Sequence, residues 1–223
     1  MHKYIFLDIG NTNANWRFEG KNFILPTQKF EFDKLPISQK IYASNVSQRV
    51  FDVPNELVTF VKSEENYKSL INAYHEPKSL GSDRWLAMIA LYEFSQGGNF
   101  IVIDIGSAVT IDAVDKTGIH LGGLIFPGLE KIRQSFNFLT KSDIENIERV
   151  GESTEKAWTI GTLSLIVNTI NQKINELKIK LPTASIFITG GGYLDIKNYI
   201  KFKHNYRENL VLDGLEFYAN NVG

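Results

Sequence analysis

Asp8, Ile9 and Gly10 close one apolar run, and Asp104, Ile105 and Gly106 close another about half a chain later. Amide and hydroxyl side chains follow at once: Asn11 and Thr12 after the first, Ser107 and Thr110 after the second. A carboxylate at a strand end, a glycine that lets the backbone approach a ligand, and donors just beyond it suit phosphate oxygens and an attached cation. Asp8 would hold Mg²⁺ through water, while Gly10, Asn11 and Thr12 bring donors to the phosphates. Asn15, on the strand that follows, is counted with this nucleotide-binding set, as is Ser107 of the second turn. Two such turns facing each other could hold the two ends of a triphosphate. Read singly, each is also an ordinary hairpin turn, since Asp, Gly and Asn are all turn residues. The duplication favours the functional reading.

A third constellation, Gly81-Ser82-Asp83-Arg84, opens a helical pattern. A carboxylate in a first turn commonly complements the helix dipole, but a cation beside it is disfavoured there. An adjacent Asp-Arg pair at a helix start suits an anionic substrate carrying a hydroxyl: arginine and amides hold the anion and aspartate accepts the proton. Gly122–Gly128 and Thr189–Gly192 join strands to helices through glycines. Neither matches the Walker A or G-x-G-x-x-G pattern, so P-loop and Rossmann readings fail.

The elements that must position these residues fall into two similar halves. Residues 3–9 read as a buried strand, Asn13–Phe18 and Asn22–Leu25 as a meander around the Glu19-Gly20-Lys21 turn, and Ile41–Ser44 and Leu57–Val61 as short strands. An apolar helix, Trp85–Phe94, begins at Ser82-Asp83 and ends near Gly97-Gly98. The second half repeats the order. Residues 99–105 form a buried strand, and Val109, Ile111 and Ala113 alternate with Thr110 and Asp112, which makes Asp112 an exposed strand position. His120–Phe126 is a third strand, Pro127-Gly128 opens a helix to about Leu139, and Ser185–Thr189 is a last buried strand. Between them, Glu152–Lys178 is the longest helical signal. Its Ile160, Leu163, Val167, Ile170, Ile174 and Leu177 fit a core-facing stripe or a subunit interface equally. A meander followed by alternating helices and strands, done twice, is the plan of the actin-like ATPase and sugar-kinase fold, with the junction near residue 96.

Composition narrows the chemistry. The formal charge of −1 argues against a dedicated nucleic-acid binder, and the absence of cysteine excludes disulfides, thiolate nucleophiles and zinc–thiolate sites. The four histidines, His2, His75, His120 and His204, never pair at ligand spacing, which leaves oxygen-coordinated Mg²⁺ or K⁺ open. No stretch reaches the ~18 apolar residues of a membrane span, and Asp8 interrupts the first apolar run too early for a signal peptide. The cytoplasm is the expected compartment.

Taken in order, Asp8–Thr12, Gly81–Arg84, Asp104–Thr110, Gly122–Gly128 and Thr189–Gly191 resemble the D-x-G-N-T, G-x-D-R, D-x-G-T-A-x-T, G-G-x-I-x-P-G and T-G-G signatures of the type III pantothenate kinases. The resemblance implies an α/β fold of two ribonuclease H-like halves, residues 1–96 and 97–223, with mixed sheets flanked by helices and a nucleotide cleft between them. It implies a homodimer, with no nucleic-acid or membrane partner, that transfers phosphate from ATP to the primary hydroxyl of pantothenate at the start of coenzyme A synthesis. Carried over, Asp83 is the general base, and Gly81, Ser82 and Arg84 form the substrate loop. Tyr74 and Thr154 contact pantothenate. Asp104 matches the ligand of a monovalent cation, K⁺ or NH₄⁺, and the helix beginning at Thr154 matches the dimer interface. Ser107 stands where the family usually has threonine, keeping the hydroxyl and losing a methyl. A regulatory nucleotide-binding protein on the same fold, or a kinase for another small hydroxy acid or sugar, are the alternatives.

Overall fold

Two five-stranded sheets with the same strand order organise the chain. The computed structural model describes residues 4–54, 56–144 and 146–222; residue 3 of the expected first strand lies outside them. The chain forms two compact units, one of residues 1–98, 114–122 and 209–223, the other of residues 99–113 and 123–208. No helix among the described residues is long and apolar enough to cross a membrane.

In the first unit, β1 (Tyr4–Ile9), β2 (Asn13–Phe18) and β3 (Lys21–Pro26) form the expected meander, and β4 (Lys40–Asn45) and β5 (Val58–Phe60) extend it in parallel. The strand order is β3-β2-β1-β4-β5. Glu19 and Gly20 both have positive φ, which suits a two-residue hairpin loop whose twist matches its strands. Ile5, Leu7, Ile9, Ile41, Val58 and Phe30 pack one face. A small hairpin, β6 (Asn66–Tyr67) and β7 (Leu70–Ile71), precedes helix α1 (Ser82–Phe94). Every residue of α1 from Arg84 to Leu91 is buried, as fits a helix that is apolar all round.

The second unit holds β8 (Phe100–Ile105), most of β9 (Ala108–Val114) and of β10 (His120–Pro127), then β11 (Ser185–Thr189) and β12 (Asn205–Tyr206). Their order, β10-β9-β8-β11-β12, repeats the first sheet position by position. Helices α2 (Leu129–Gln134), α3 (Thr154–Lys180) and α4 (Tyr193–Ile196) complete this unit. Leu163, Val167, Ile170 and Ile174 of α3 are buried in its core with Ile166, so the periodic seam is a core-facing stripe.

Three expectations need correction. The helix after Gly128 stops at Gln134, well short of Leu139: Phe136 and Phe138 are exposed and offer no core-facing stripe, and the Ser135 hydroxyl bonds the Ile132 carbonyl. Asp112 is buried, 1% exposed, because β9 lies inside the sheet and both of its faces are covered. A fifth helix, α5 (Leu210–Val222), had no counterpart among the expected elements. It packs along α1 in the first unit, with Gly214 so close that a Cβ there would lie 2.0 Å from the Leu86 carbonyl oxygen.

Candidate active site

Register alone sets out the first half of the site. Asp8 pairs with Asn15 on one neighbouring strand and with Ser44 on the other. Directly paired residues share a face of the sheet, so Asn15, Asp8 and Ser44 form a polar row across β2, β1 and β4. The turn beyond Asp8 is tight: the Gly10 amide bonds the Asn13 carbonyl at 3.0 Å, and buried Thr27 ties down the loop through its hydroxyl to the Gly10 carbonyl, 2.7 Å, and its amide to the Thr12 carbonyl, 2.8 Å. Asn11 and Thr12 are exposed at its tip.

Ser44 joins this row to the Gly81–Arg84 loop. Its buried hydroxyl lies 2.9 Å from that of Ser82, the first residue of α1. Asp83 follows, its Oδ1 accepting the Arg84 amide at 2.7 Å. A Cβ on Gly81 would come within 2.5 Å of that same Oδ1, so glycine makes the room in which the carboxylate rests. The Arg84 guanidinium is buried, donates to the Tyr74 hydroxyl at 3.0 Å and lies 5.7 Å from the centre of its ring. A buried cation needs hydrogen-bond partners, and the phenol supplies one. Asn72 fixes the segment: its side-chain oxygen accepts the Tyr74 amide at 3.0 Å, and its amide group donates to the carbonyls of Glu64 and Pro77. Asp8, Asn15, Tyr74, Gly81, Ser82, Asp83 and Arg84 thus lie in one unit and are linked by short contacts.

Gly10, Asn11 and Thr12 share that unit, whereas Asp104, Ser107 and Thr154 belong to the second. Asp104 pairs with Thr189 across β8 and β11. Gly190 follows with φ +91°, and a Cβ there would stand 2.4 Å from both Asp104 Oδ1 and the Ile105 carbonyl oxygen. Only glycine combines that backbone with that approach. The Gly192 amide bonds the Ile105 carbonyl at 2.8 Å, and the Gly128 amide bonds the Ser107 carbonyl at 2.9 Å, so both glycine-rich connections are fastened to the second Asp-Ile-Gly turn. Thr154 is exposed in the first turn of α3, whose cap is the Ser153 hydroxyl accepting the Lys156 amide. Glu155 beside it is held below the usual carboxylate range by its own backbone amide and the Ser153 hydroxyl.

Two residues in contact with this constellation had escaped the sequence reading. Ser44 ends a strand with a hydroxyl, and carboxyl ends of strands are where open α/β sheets receive ligands, which is the signal that could have found it. His120 was visible only as the first residue of a strand; its ring stacks on Tyr74, centroids 6.1 Å apart and 13° from parallel.

Known proteins give this arrangement a family. Residues 36–176 match the family model described as type III pantothenate kinase. A type III pantothenate kinase from Hahella chejuensis is 33% identical over 99% of this chain and 98% of its own length. Among solved structures, a conserved Baf family protein from Campylobacter jejuni, named as a transcriptional activator, has a TM-score of 0.65 at 24% identity and covers 98% of both chains. A protein from Sinorhizobium meliloti named as a 2-dehydro-3-deoxygalactonokinase has a TM-score of 0.59 at 10% identity, over 98% of this chain and 96% of its own. At these identities the likeness is one of fold, that of the actin-like ATPases and sugar kinases. The matched family model spans more than half of the chain and the relative spans nearly all of it, and on those two findings this chain belongs to the type III pantothenate kinases.

Proposed function

We propose that the Gly81–Arg84 loop receives the acceptor hydroxyl of pantothenate and that Asp83 takes its proton. The overall activity is that of the family: ATP-dependent phosphorylation of pantothenate, the first step of coenzyme A synthesis. The observation that carries the site reading is the Asp83 carboxylate resting over Gly81 at the start of α1, with Arg84 fixed to Tyr74 one residue on.

As the substrate oxygen attacks the γ-phosphorus, the new O–P bond forms and the bond to the β,γ-bridging oxygen breaks. ADP leaves with that electron pair, and the hydroxyl proton passes to Asp83. Arg84, always charged, and the Tyr74 hydroxyl hold the anionic substrate, with the Gly81 and Ser82 backbone beside them. Positioning supplies much of the rate, because phosphoryl transfer asks the protein for little covalent chemistry. The Gly10–Thr12 turn and Asn15 bind ATP, as does the Ser107 hydroxyl in the second unit. The single carboxylate of Asp8 would hold Mg²⁺, which would offset phosphate charge. Asp104 is assigned to K⁺ or NH₄⁺ and Thr154 to pantothenate.

We assign the protein to the cytoplasm, where ATP is supplied, and read it as a homodimer. The outer side of α3 supports the dimer: Leu165 and Ile179 are exposed there, away from the core stripe. Sedimentation should give twice the mass of one chain, and a monomer at working concentration would remove that reading.

The test is ADP release with ATP and Mg²⁺, with and without pantothenate, in K⁺ and then Na⁺ buffer. Pantothenate-dependent ADP that is faster in K⁺ is expected. Asp83→Ala should lower kcat by about 10²–10⁴-fold with ATP binding retained. Near-normal turnover in that variant would remove Asp83 as the base.

A further inference from the structure

The residues that hold Tyr74 point to a histidine that no motif includes. The segment Gly118–His120 docks beside the β7 segment. The Ile71 amide bonds the Gly118 carbonyl at 2.9 Å, and Ile71 and Ile119 form a parallel bridge. Gly118 sits against Ser69 with φ +86°, where a Cβ would lie 2.4 Å from the Ser69 carbonyl oxygen. Two residues past Ile71, the Ala73 amide donates not to a backbone carbonyl but to Nδ1 of His120, at 3.4 Å. The imidazole thus continues the ladder with a side-chain acceptor, which requires a neutral ring protonated on Nε2. The same ring stacks on Tyr74, the next residue, and is 1% exposed. Tyr74 in turn accepts the Arg84 hydrogen bond.

We infer that His120 is a positioning residue for substrate binding, setting Tyr74 and through it the Arg84 guanidinium. A histidine that merely filled the core would need neither relation. Here one nitrogen fixes the backbone leading into Tyr74 and the ring face fixes its side chain. The inference rests on the reading that Tyr74 and Arg84 hold pantothenate.

The two interactions separate by substitution. His120→Phe keeps a flat ring and loses the Nδ1 acceptor, and His120→Asn keeps a short acceptor and loses the ring. Each single variant should raise the KM for pantothenate about three- to tenfold and leave the KM for ATP within about twofold, the size expected for one modest hydrogen bond or one ring contact. The decisive comparison repeats both substitutions in a Tyr74→Ala background. Because His120 acts through Tyr74, they should there change the pantothenate KM by less than about twofold. Equal rises in both KM values, or a full effect that persists without Tyr74, would show a structural histidine and overturn the inference. If Tyr74→Ala and Arg84→Lys alone leave the pantothenate KM unchanged, the site reading falls and this inference with it. If they raise it while both His120 variants do not, only the inference falls. Melting temperatures and isothermal titration with pantothenate on the same proteins keep the outcome readable, and His120→Phe remains available if His120→Asn does not fold.

Discussion

At the start of α1, the carboxylate proposed as the base lies where any side chain on Gly81 would meet it. Gly81→Ala would put a methyl 2.5 Å from the Asp83 carboxylate oxygen, and the flexible acid would move, not the backbone. The expected result is a kcat about 10–100-fold lower, the range that a small displacement of a reacting group produces, with a nearly unchanged melting curve. Steady-state kinetics beside calorimetry checks it. Ser44→Ala acts differently, leaving the Ser82 hydroxyl buried without its partner, and should cost about 1–3 kcal/mol of stability; urea unfolding would measure it. The acid, the arginine and the glycine were legible because their types and order are constrained by chemistry. Ser44 and His120 were not, since a serine at a strand end or a histidine at a strand start acquires meaning only once the register is known.

Among the elements, the sheets were legible and their coverings were not. Apolar runs ending in Asp-Ile-Gly and a Glu-Gly loop between alternating strands carry local signals, and the strands formed where those signals lie. Helix α5 does carry a periodic signal, with Leu210, Val211, Leu215, Tyr218 and Ala219 recurring at helical spacing, but Gly214 and two asparagines dilute its propensity. Leu215, fully buried there, should cost about 2–5 kcal/mol when cut to alanine. Gly214→Ala should destabilise as well, because the obstacle is the Leu86 backbone, which has no rotamer to escape into. Asp112 misled for the opposite reason, since alternation reads as half-exposed and cannot reveal that a central strand is covered twice. The turn before β10 gives the pH dependence. Burial pushes Asp115 up, but the Thr117 hydroxyl and the amides of Ile119 and Thr117 outweigh it and hold the carboxyl below its ordinary 3.8. A lowered folded value means that this stabilisation is complete above the ordinary value and disappears as pH falls through the lowered one. The stability gap between the protein and Asp115→Asn should therefore close as the pH is taken from about 5 to about 2, as followed by denaturant titration.

Across the whole molecule, the chain passes between its two units at residues 98/99, 113/114, 122/123 and 208/209. The first unit is thus not a contiguous piece, and residues 1–98 expressed alone should lack a cooperative thermal transition, since the faces of α1 that meet α5 would be bare. Circular dichroism with added 209–223 peptide would test whether α5 restores it. The order of synthesis gives the α1–α5 pairing a further meaning. The ribosome completes α1 at Phe94 and reaches α5 only at Leu210. At 5–20 residues per second, roughly 6–25 s separate the two. Throughout that interval the side of α1 that α5 covers in the finished fold has no α5 to cover it, so the helix that bears Asp83 takes its final packing only when the last residues of the chain arrive.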